Sequence, residues 1–228
     1  MATFRIVSDD REMSRVPATE AGLFTLLKER HAILMGGRPD LRPGEFKRER
    51  NQAGATMFVA PDLVVGTLSK GDEFSRLLPT AFQRAVFIAF LVTEVHPFAD
   101  GNGRIARVMM NAELHQAGEH RIIIPTGLRN EYVAALKGLS HNANPEAFIQ
   151  VMSFAQQYTS LVDHENFEAA RETYRRTHAF VEVANGPRLT LPTYRTLSHA
   201  HQAKTSDSDL PTKESEVPSG EGKGRTEF

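Results

Sequence analysis

The chain has 228 residues, with 27 lysines and arginines against 28 aspartates and glutamates, a formal charge of −1 and no cysteine. So balanced a charge leaves no electrostatic footprint for nucleic acid or an anionic membrane surface, and the missing cysteines exclude disulfides and thiolate zinc sites. The length accommodates one domain with a sizeable core plus extensions. No uncharged apolar run approaches the roughly 18 residues of a spanning helix, and the opening residues hold no apolar segment of a secretory signal. The expectation is a cytoplasmic protein, with delivery as a secreted effector left open, and with neither nucleic acid nor membrane as partner.

In chain order, residues 1–18 show little periodicity and read as a loose arm with a short strand at residues 3–7. Thr19 can cap a helix whose Leu23, Leu26, Leu27, Ile33 and Leu34 recur at helical spacing until Gly36 and Gly37 stop it. Residues 38–47 hold Pro39, Pro43 and Gly44 and predict a loop. Thr56, Met57, Phe58 and Val59 are rich in β-formers and precede Pro61, which predicts a hairpin with residues 63–67. Residues 79–95 are the most hydrophobic stretch, with Phe82, Ala85, Val86, Ile88, Ala89, Leu91, Val92 and Val95 on more than one face, so this helix should be buried on most sides. Residues 104–114 are good helix formers and apolar nearly all round, and Gly118 ends that helix. A brief apolar run at residues 122–124 closes at Pro125, and further helices fit residues 129–139, 145–162 and, amphipathically, 165–184. The last stretch is mostly Ser, Thr, Glu, Lys, Gly and Pro, a composition that predicts disorder. The expected organisation is an arm (1–18), a central domain (19–162), a C-terminal helix and extension (163–197) and a tail (198–228).

Between the two apolar helices stands His96-Pro97-Phe98-Ala99-Asp100-Gly101-Asn102-Gly103-Arg104-Ile105-Ala106-Arg107. Asp100 is a hard oxygen donor suited to Mg²⁺, which keeps several waters and bridges carboxylates to phosphate oxygens. Gly101 and Gly103 lack Cβ, so the chain can turn sharply and bring its N–H groups close to an anion at a helix N-terminus. Arg104 and Arg107, three apart on the first helical turn, can clamp phosphates by forked, charged hydrogen bonds. His96, whose ordinary pKa is about 6.5, suits a general base at neutral pH, and Phe98 suits an apolar anchor for the loop.

Other readings compete with this one. Gly101-x-Gly103-x-x-Ala106 also fits a dinucleotide-binding fingerprint, but that needs a second strand ending in an acidic residue, where residues 122–124 run into Pro125 and Thr126. No Gly-x-x-x-x-Gly-Lys-Ser/Thr is present. The other histidines, His31 among them, show no metal-ligand spacing and read as structural or solvated. A module that binds nucleotide or peptide without turnover is the alternative from a different class.

The motif resembles the signature of the Fic (filamentation-induced-by-cAMP) domain family, His-x-Phe-x-(Asp/Glu)-Gly-Asn-Gly-Arg-x-x-Arg. Softer similarity runs over residues 20–158, through Pro43-Gly44-Glu45-Phe46-Lys47, residues 56–61 and Arg129-x-x-Tyr132. The resemblance implies a mainly α fold, a helical bundle around a central helix–loop–helix with a short β-hairpin flap. It implies an enzyme that transfers AMP from ATP to a Tyr, Thr or Ser hydroxyl of a target protein and releases pyrophosphate. Relatives with altered motifs move UMP, phosphate or phosphocholine, and the acidic Asp100 with an intact Gly-Asn-Gly-Arg points to AMP. By the same resemblance His96 is the base, and ATP lies on Asp100, Gly101, Asn102, Gly103, Arg104 and Arg107 with Tyr132 near the adenine. Mg²⁺ is held by Asp100, and Thr56, Met57, Phe58 and Val59 form a flap that holds the target segment as an added strand. Many members carry an inhibitory Ser/Thr-x-x-x-Glu-Gly/Asn helix whose glutamate pairs with the second motif arginine, here Arg107. Ser8 with Glu12, Ser69 with Glu73 and Thr212 with Glu216 have that spacing, but Met13, Phe74 and Val217 follow them. The expectation is a chain active by itself and silenced by a small antitoxin-like partner.

Overall fold

The computed structural model describes residues 2–181 and 188–192, a mainly helical fold with one two-stranded hairpin. Thr19 caps α3 (Glu20–Met35), its Oγ1 accepting from the Gly22 N–H at 3.0 Å and so satisfying one of the donors a helix start leaves open. α5 (Ala81–Val95) begins with a reciprocal cap, Thr80 Oγ1 accepting from the Gln83 N–H and the Gln83 side chain from the Thr80 N–H. The apolar residues of α5 and of α6 (Asn102–Gln116) are buried on several faces, and the two helices pack along each other as the centre of the molecule. Burying a Leu, Ile, Val, Phe or Met side chain contributes about 1.5–3 kcal/mol. The loop between α5 and α6 therefore stands on a rigid base. α7 (Arg129–Asn142) and α8 (Glu146–Ser160) close the bundle, with Phe148, Met152 and Ala155 of α8 in the same core.

Two expectations in the N-terminal half are corrected. Residues 3–7 are not a strand: α1 (Ala2–Val7) and α2 (Asp10–Met13) are short helices, and the segment is not loose, because Ile6 and Met13 are buried in the core. Its anchor is Arg30 of α3, fully buried, whose Nε donates to Glu12 Oε1 at 2.9 Å and whose Nη2 donates to the carbonyls of Glu12 and Arg15 at 2.5 and 2.8 Å. Helices this short are marginal alone, and docking supplies what propensity does not.

The second correction concerns the hairpin. β1 (Gln52–Ala53) pairs antiparallel with β2 (Thr56–Met57), Gln52 opposite Met57 and Ala53 opposite Thr56. Residues 63–67 are no partner strand, since Pro61 opens a single 3₁₀ turn and α4 (Val64–Ser75) follows. The β-branched Val64, Val65 and Thr67 suggest a strand, but Val64, Leu68 and Gly71 recur at helical spacing and form the buried face. Gly71 lies so close to α5 that a Cβ would run into the Leu91 side chain. Tertiary contact overrides propensity here.

α9 (Phe167–Arg176) is shorter than the helix expected at 165–184. It is tied back by the Tyr158 hydroxyl, 2.5 Å from Thr177 Oγ1, and burial pushes that phenol up to about 12. Residues 182–187 and 193–197 of the extension, and the tail 198–228 expected to be disordered, lie outside the described residues. Among the described residues no helix is long and apolar enough to cross a membrane.

Candidate functional site

α5 ends at His96, which adopts the left-handed conformation (φ 51°, ψ 57°), and α6 starts after Gly101, also left-handed (φ 79°). Glycine fits at 101 for two reasons: the positive φ strains any L side chain, and a Cβ would stand 3.1 Å from both Leu34 Cδ2 and Met35 Sδ. Between these ends Phe98 is fully buried, as expected of an anchor. Asn102 is buried too, and its amide closes on the backbone of Phe98: Oδ1 accepts from the Phe98 N–H at 2.9 Å and Nδ2 donates to the Phe98 carbonyl at 2.8 Å. The Asn102 side chain thus shapes the loop from inside. Neither the Asn102 N–H nor the Gly103 N–H has a hydrogen-bond partner among the described residues.

The His96 ring has its tautomer fixed by geometry. Nδ1 lies 3.0 Å from the Thr93 carbonyl, which can only accept, so Nδ1 carries the proton and Nε2 the lone pair. Phe58, just beyond β2, stacks parallel on the imidazole at 3.7 Å and 6°. Burial lowers the His96 pKa below its ordinary value; the Thr93 hydrogen bond works against this, Lys47 adds to it, and Asp100 opposes it. The ring is therefore neutral at pH 7.

Asp100 and Arg104 are exposed and paired at 3.4 Å, the Asp100 carboxylate also accepting from the Gly101 N–H at 2.6 Å. Arg107 is exposed, its guanidinium lies near Gly103, and it has no hydrogen bond or ion pair among the described residues. Beside His96, between the hairpin and α7, opens a largely apolar pocket of about 210 Å³ lined by Thr56, Phe58, Val133, Leu136 and Lys137. Tyr132 does not line it: its ring packs on Phe148 at 5.8 Å, and its hydroxyl faces Thr93 within range of the Arg107 charge. Thr56 and Met57 form β2, whereas Phe58 and Val59 lie past it, Val59 packed on the core.

Three residues outside the motif hold it in place. His31 is fully buried and stacks parallel on Phe98 at 3.7 Å. Its Nδ1 accepts from the Gly44 N–H at 3.0 Å, so the proton is on Nε2, which donates to the Asp100 carbonyl at 3.0 Å. Lys47 and Asn51 donate to carbonyls of the same turn. The sequence does carry a signal for His31, since it falls on the stripe of Leu27 and Leu34. A polar residue on an apolar stripe needs buried partners. Lys47 closes the stretch Pro43–Lys47 that carries part of the resemblance, but nothing local marks its role, and nothing marks Asn51.

Residues 24–114 match the Fic/DOC family. The chain is 31% identical over 113 residues to protein adenylyltransferase fic-1 of Caenorhabditis briggsae, covering 47% of this chain and 22% of that protein. It is 28% identical over 137 residues to protein adenylyltransferase Fic of Drosophila erecta, covering 58% and 27%. The chain thus spans about a quarter of the length of these curated relatives. Among solved structures, Fic-1 of C. elegans superposes with a TM-score of 0.54 at 22% identity, covering 68% of this chain and 46% of that one. A Fic domain containing signaling protein from Bacteroides thetaiotaomicron gives 0.52 at 21% identity, covering 68% and 63%. These two likenesses establish the fold. Residues 24–114 thus match the Fic/DOC family, and the fold around them is the one seen in these Fic structures.

Proposed function

We propose that this chain transfers AMP from ATP to a hydroxyl side chain of a target protein. The observation that carries the proposal is the juxtaposition of a neutral His96 presenting the Nε2 lone pair with two helix N–H groups and Arg107, none of which has a hydrogen-bond partner among the described residues. The curated relatives named as protein adenylyltransferases support it. The phosphates lie over Gly101, Asn102 and Gly103 against the α6 N-terminus, with Arg104 and Arg107 as clamps. His96 Nε2 takes the proton of a Tyr, Thr or Ser hydroxyl; the freed oxygen bonds to the α-phosphorus, and the bond to the leaving pyrophosphate breaks. Loop N–H groups and arginines neutralise charge as it moves to the leaving group, and the histidine adds about 10²- to 10⁴-fold. The apolar pocket beside His96 suits the adenine ring. Incubating the protein with α-labelled ATP and a cell lysate tests the proposal: a labelled protein band with pyrophosphate release supports it, and ATP binding without release favours a binding module.

Asp100 fits Mg²⁺ only together with nucleotide. Its side chain is 54% exposed, and no group of three or more His, Asp or Glu residues that could hold a metal occurs among the described residues. Mg²⁺ keeps waters and needs one or two carboxylates plus phosphate oxygens; bound there it would neutralise phosphate charge. Asp100→Ala should weaken Mg²⁺-dependent ATP binding and transfer together, and excess Mg²⁺ should recover part of both. Calorimetric titrations of ATP over a Mg²⁺ series check this, and an unchanged Mg²⁺ dependence would remove Asp100 from the role.

The hairpin is the proposed holder of the target segment. Phe58 N–H donates back to the Asn51 carbonyl at 3.2 Å, so by antiparallel alternation the Met57 N–H points to the open edge. Met57→Pro removes that donor and should impair protein modification at least about tenfold while ATP affinity holds within about twofold. Equal loss of both would make the hairpin a structural edge only. A small antitoxin-like protein whose glutamate pairs with Arg107 is the proposed means of silencing.

A further inference from the structure

At the end of α5 the carbonyls of Val95, His96, Pro97 and Phe98 all accept from one distant segment. Lys47 Nζ donates to Val95 at 3.1 Å, the Lys47 N–H to Pro97 at 2.8 Å, and Asn51 Nδ2 to His96 and Phe98 at 3.4 and 2.9 Å. The two side chains are themselves joined, Lys47 Nζ donating to Asn51 Oδ1 at 2.7 Å. A helix leaves its last carbonyls without partners, and here the chain must also leave the helix through a left-handed histidine, a conformation that costs about 1–3 kcal/mol for a non-glycine residue and persists only where the surroundings enforce it. Lys47 is only 6% exposed although it is a lysine, and it forms no ion pair among the described residues. A buried cation without an ion pair is costly, and this one is held by one side-chain amide and one carbonyl.

We propose that Lys47 and Asn51 form a positioning clamp for the base: by holding the carbonyls of Val95 through Phe98 they lock His96 in the conformation that presents Nε2 to the reacting hydroxyl. The role assigned to the base rests on the proposed function; the clamp itself does not. Two consequences separate positioning from bulk stability. The first is geometric, because a misplacement of about 1 Å at a reacting group can reduce turnover on the order of 10²-fold without touching substrate binding. The second is electrostatic. Lys47 disfavours the His96 imidazolium, against Asp100 on the turn and the Thr93 carbonyl below the ring; Glu94, Lys137 and His141 line the pocket on its other side. Burial has already brought Lys47 down to about 8, so this cation is neutralised in moderately alkaline solution.

The test compares Lys47→Met, Lys47→Arg and Asn51→Leu in the full chain, each checked for folding by its melting temperature. The readouts are the pH titration of the His96 ring proton in NMR, assigned by its absence in His96→Ala, together with ATP affinity and turnover. Lys47→Met should move the His96 titration to higher pH and cut turnover by about tenfold or more with ATP affinity within about twofold. Lys47→Arg, which keeps the charge, should restore the titration. Asn51→Leu should lower turnover while leaving the titration near that of the unaltered protein. Folded variants with unmoved titration and turnover within about twofold would overturn the clamp, as would losses that track melting temperature and ATP affinity alike. If Lys47→Met does not fold, the turnover and affinity of Asn51→Leu decide. Should the unaltered protein transfer no AMP, the functional proposal fails, and the clamp is still judged by whether His96 titrates at higher pH in Lys47→Met.

Discussion

His96→Ala is expected to remove AMP transfer to protein, by about 10²- to 10⁴-fold, while ATP affinity stays within about twofold. The asymmetry follows from the geometry: the imidazole is committed to Thr93 on one edge and Phe58 on one face, and the N–H groups proposed to hold the phosphates belong to residues that the substitution does not touch. The pH dependence has a definite sign. Burial lowers the His96 pKa below the ordinary value of about 6.5, so the base is free at neutral pH and turnover falls only as pH descends into the more acidic range where Nε2 is protonated. Stability moves in the same direction. Burial also lowers the pKa of His31, and its protonation would break the hydrogen bond from the Gly44 N–H. Between the lowered folded values and about 6.5 the unfolded chain binds more protons than the folded one, so stability is lost as pH falls through that window. Radiolabel transfer and ATP titration on the same preparation check the claim; a variant that retained transfer within about threefold would exclude His96 as the base.

The helices α3, α5 and α6 were legible because their signals are local: Thr19 as a cap, Gly36 and Gly118 as stops, and apolar residues recurring on one or more faces. The motif was legible for a related reason, since its residues are contiguous. α4 was hidden because its burial is decided by Leu91 on another helix, against the β-propensity of Val64, Val65 and Thr67. The packed N-terminal helices were hidden because Arg30, not their own sequence, holds them. The bracing of the loop was the least legible part, for its donors stand 69 residues from their acceptor in His31 and 45 to 50 residues away in Lys47 and Asn51. Tyr132 packs on Phe148 while its neighbour Val133 lines the pocket beside His96, because a single step along a helix turns the side chain by about 100°.

Glu12→Ala is expected to destabilise the protein by about 3 kcal/mol and to leave AMP transfer without activation. By spacing from Ser8, Glu12 is one of three candidates for a built-in inhibitory glutamate, and the structure gives it different work. Its carboxylate receives Arg30 Nε at 2.9 Å and Arg15 Nη1 at 2.9 Å, and Arg30 has no exposed surface. Burial pulls the Arg30 pKa down and pushes Glu12 up, yet the hydrogen bonds from the two guanidiniums outweigh burial and hold Glu12 below the ordinary carboxylate range. Arginine starts far above neutrality, so it stays charged, and removal of the carboxylate leaves that charge in the core with carbonyl dipoles for company. Breaking a buried pair in this way is costly. The contribution is present above the ordinary glutamate value of about 4.3 and is lost as pH falls through the lowered folded value. Urea unfolding of the variant at pH 7 and at pH 4 should therefore show a stability deficit that shrinks in acid. Glu73, exposed and paired among the described residues with Lys70 alone, should change stability by no more than about 0.5 kcal/mol when replaced by alanine; Glu216 lies outside the described residues. A tenfold or greater activation of transfer by Glu12→Ala would show instead that this glutamate reaches Arg107 in solution, and that the N-terminal helices are a displaceable inhibitor rather than part of the core.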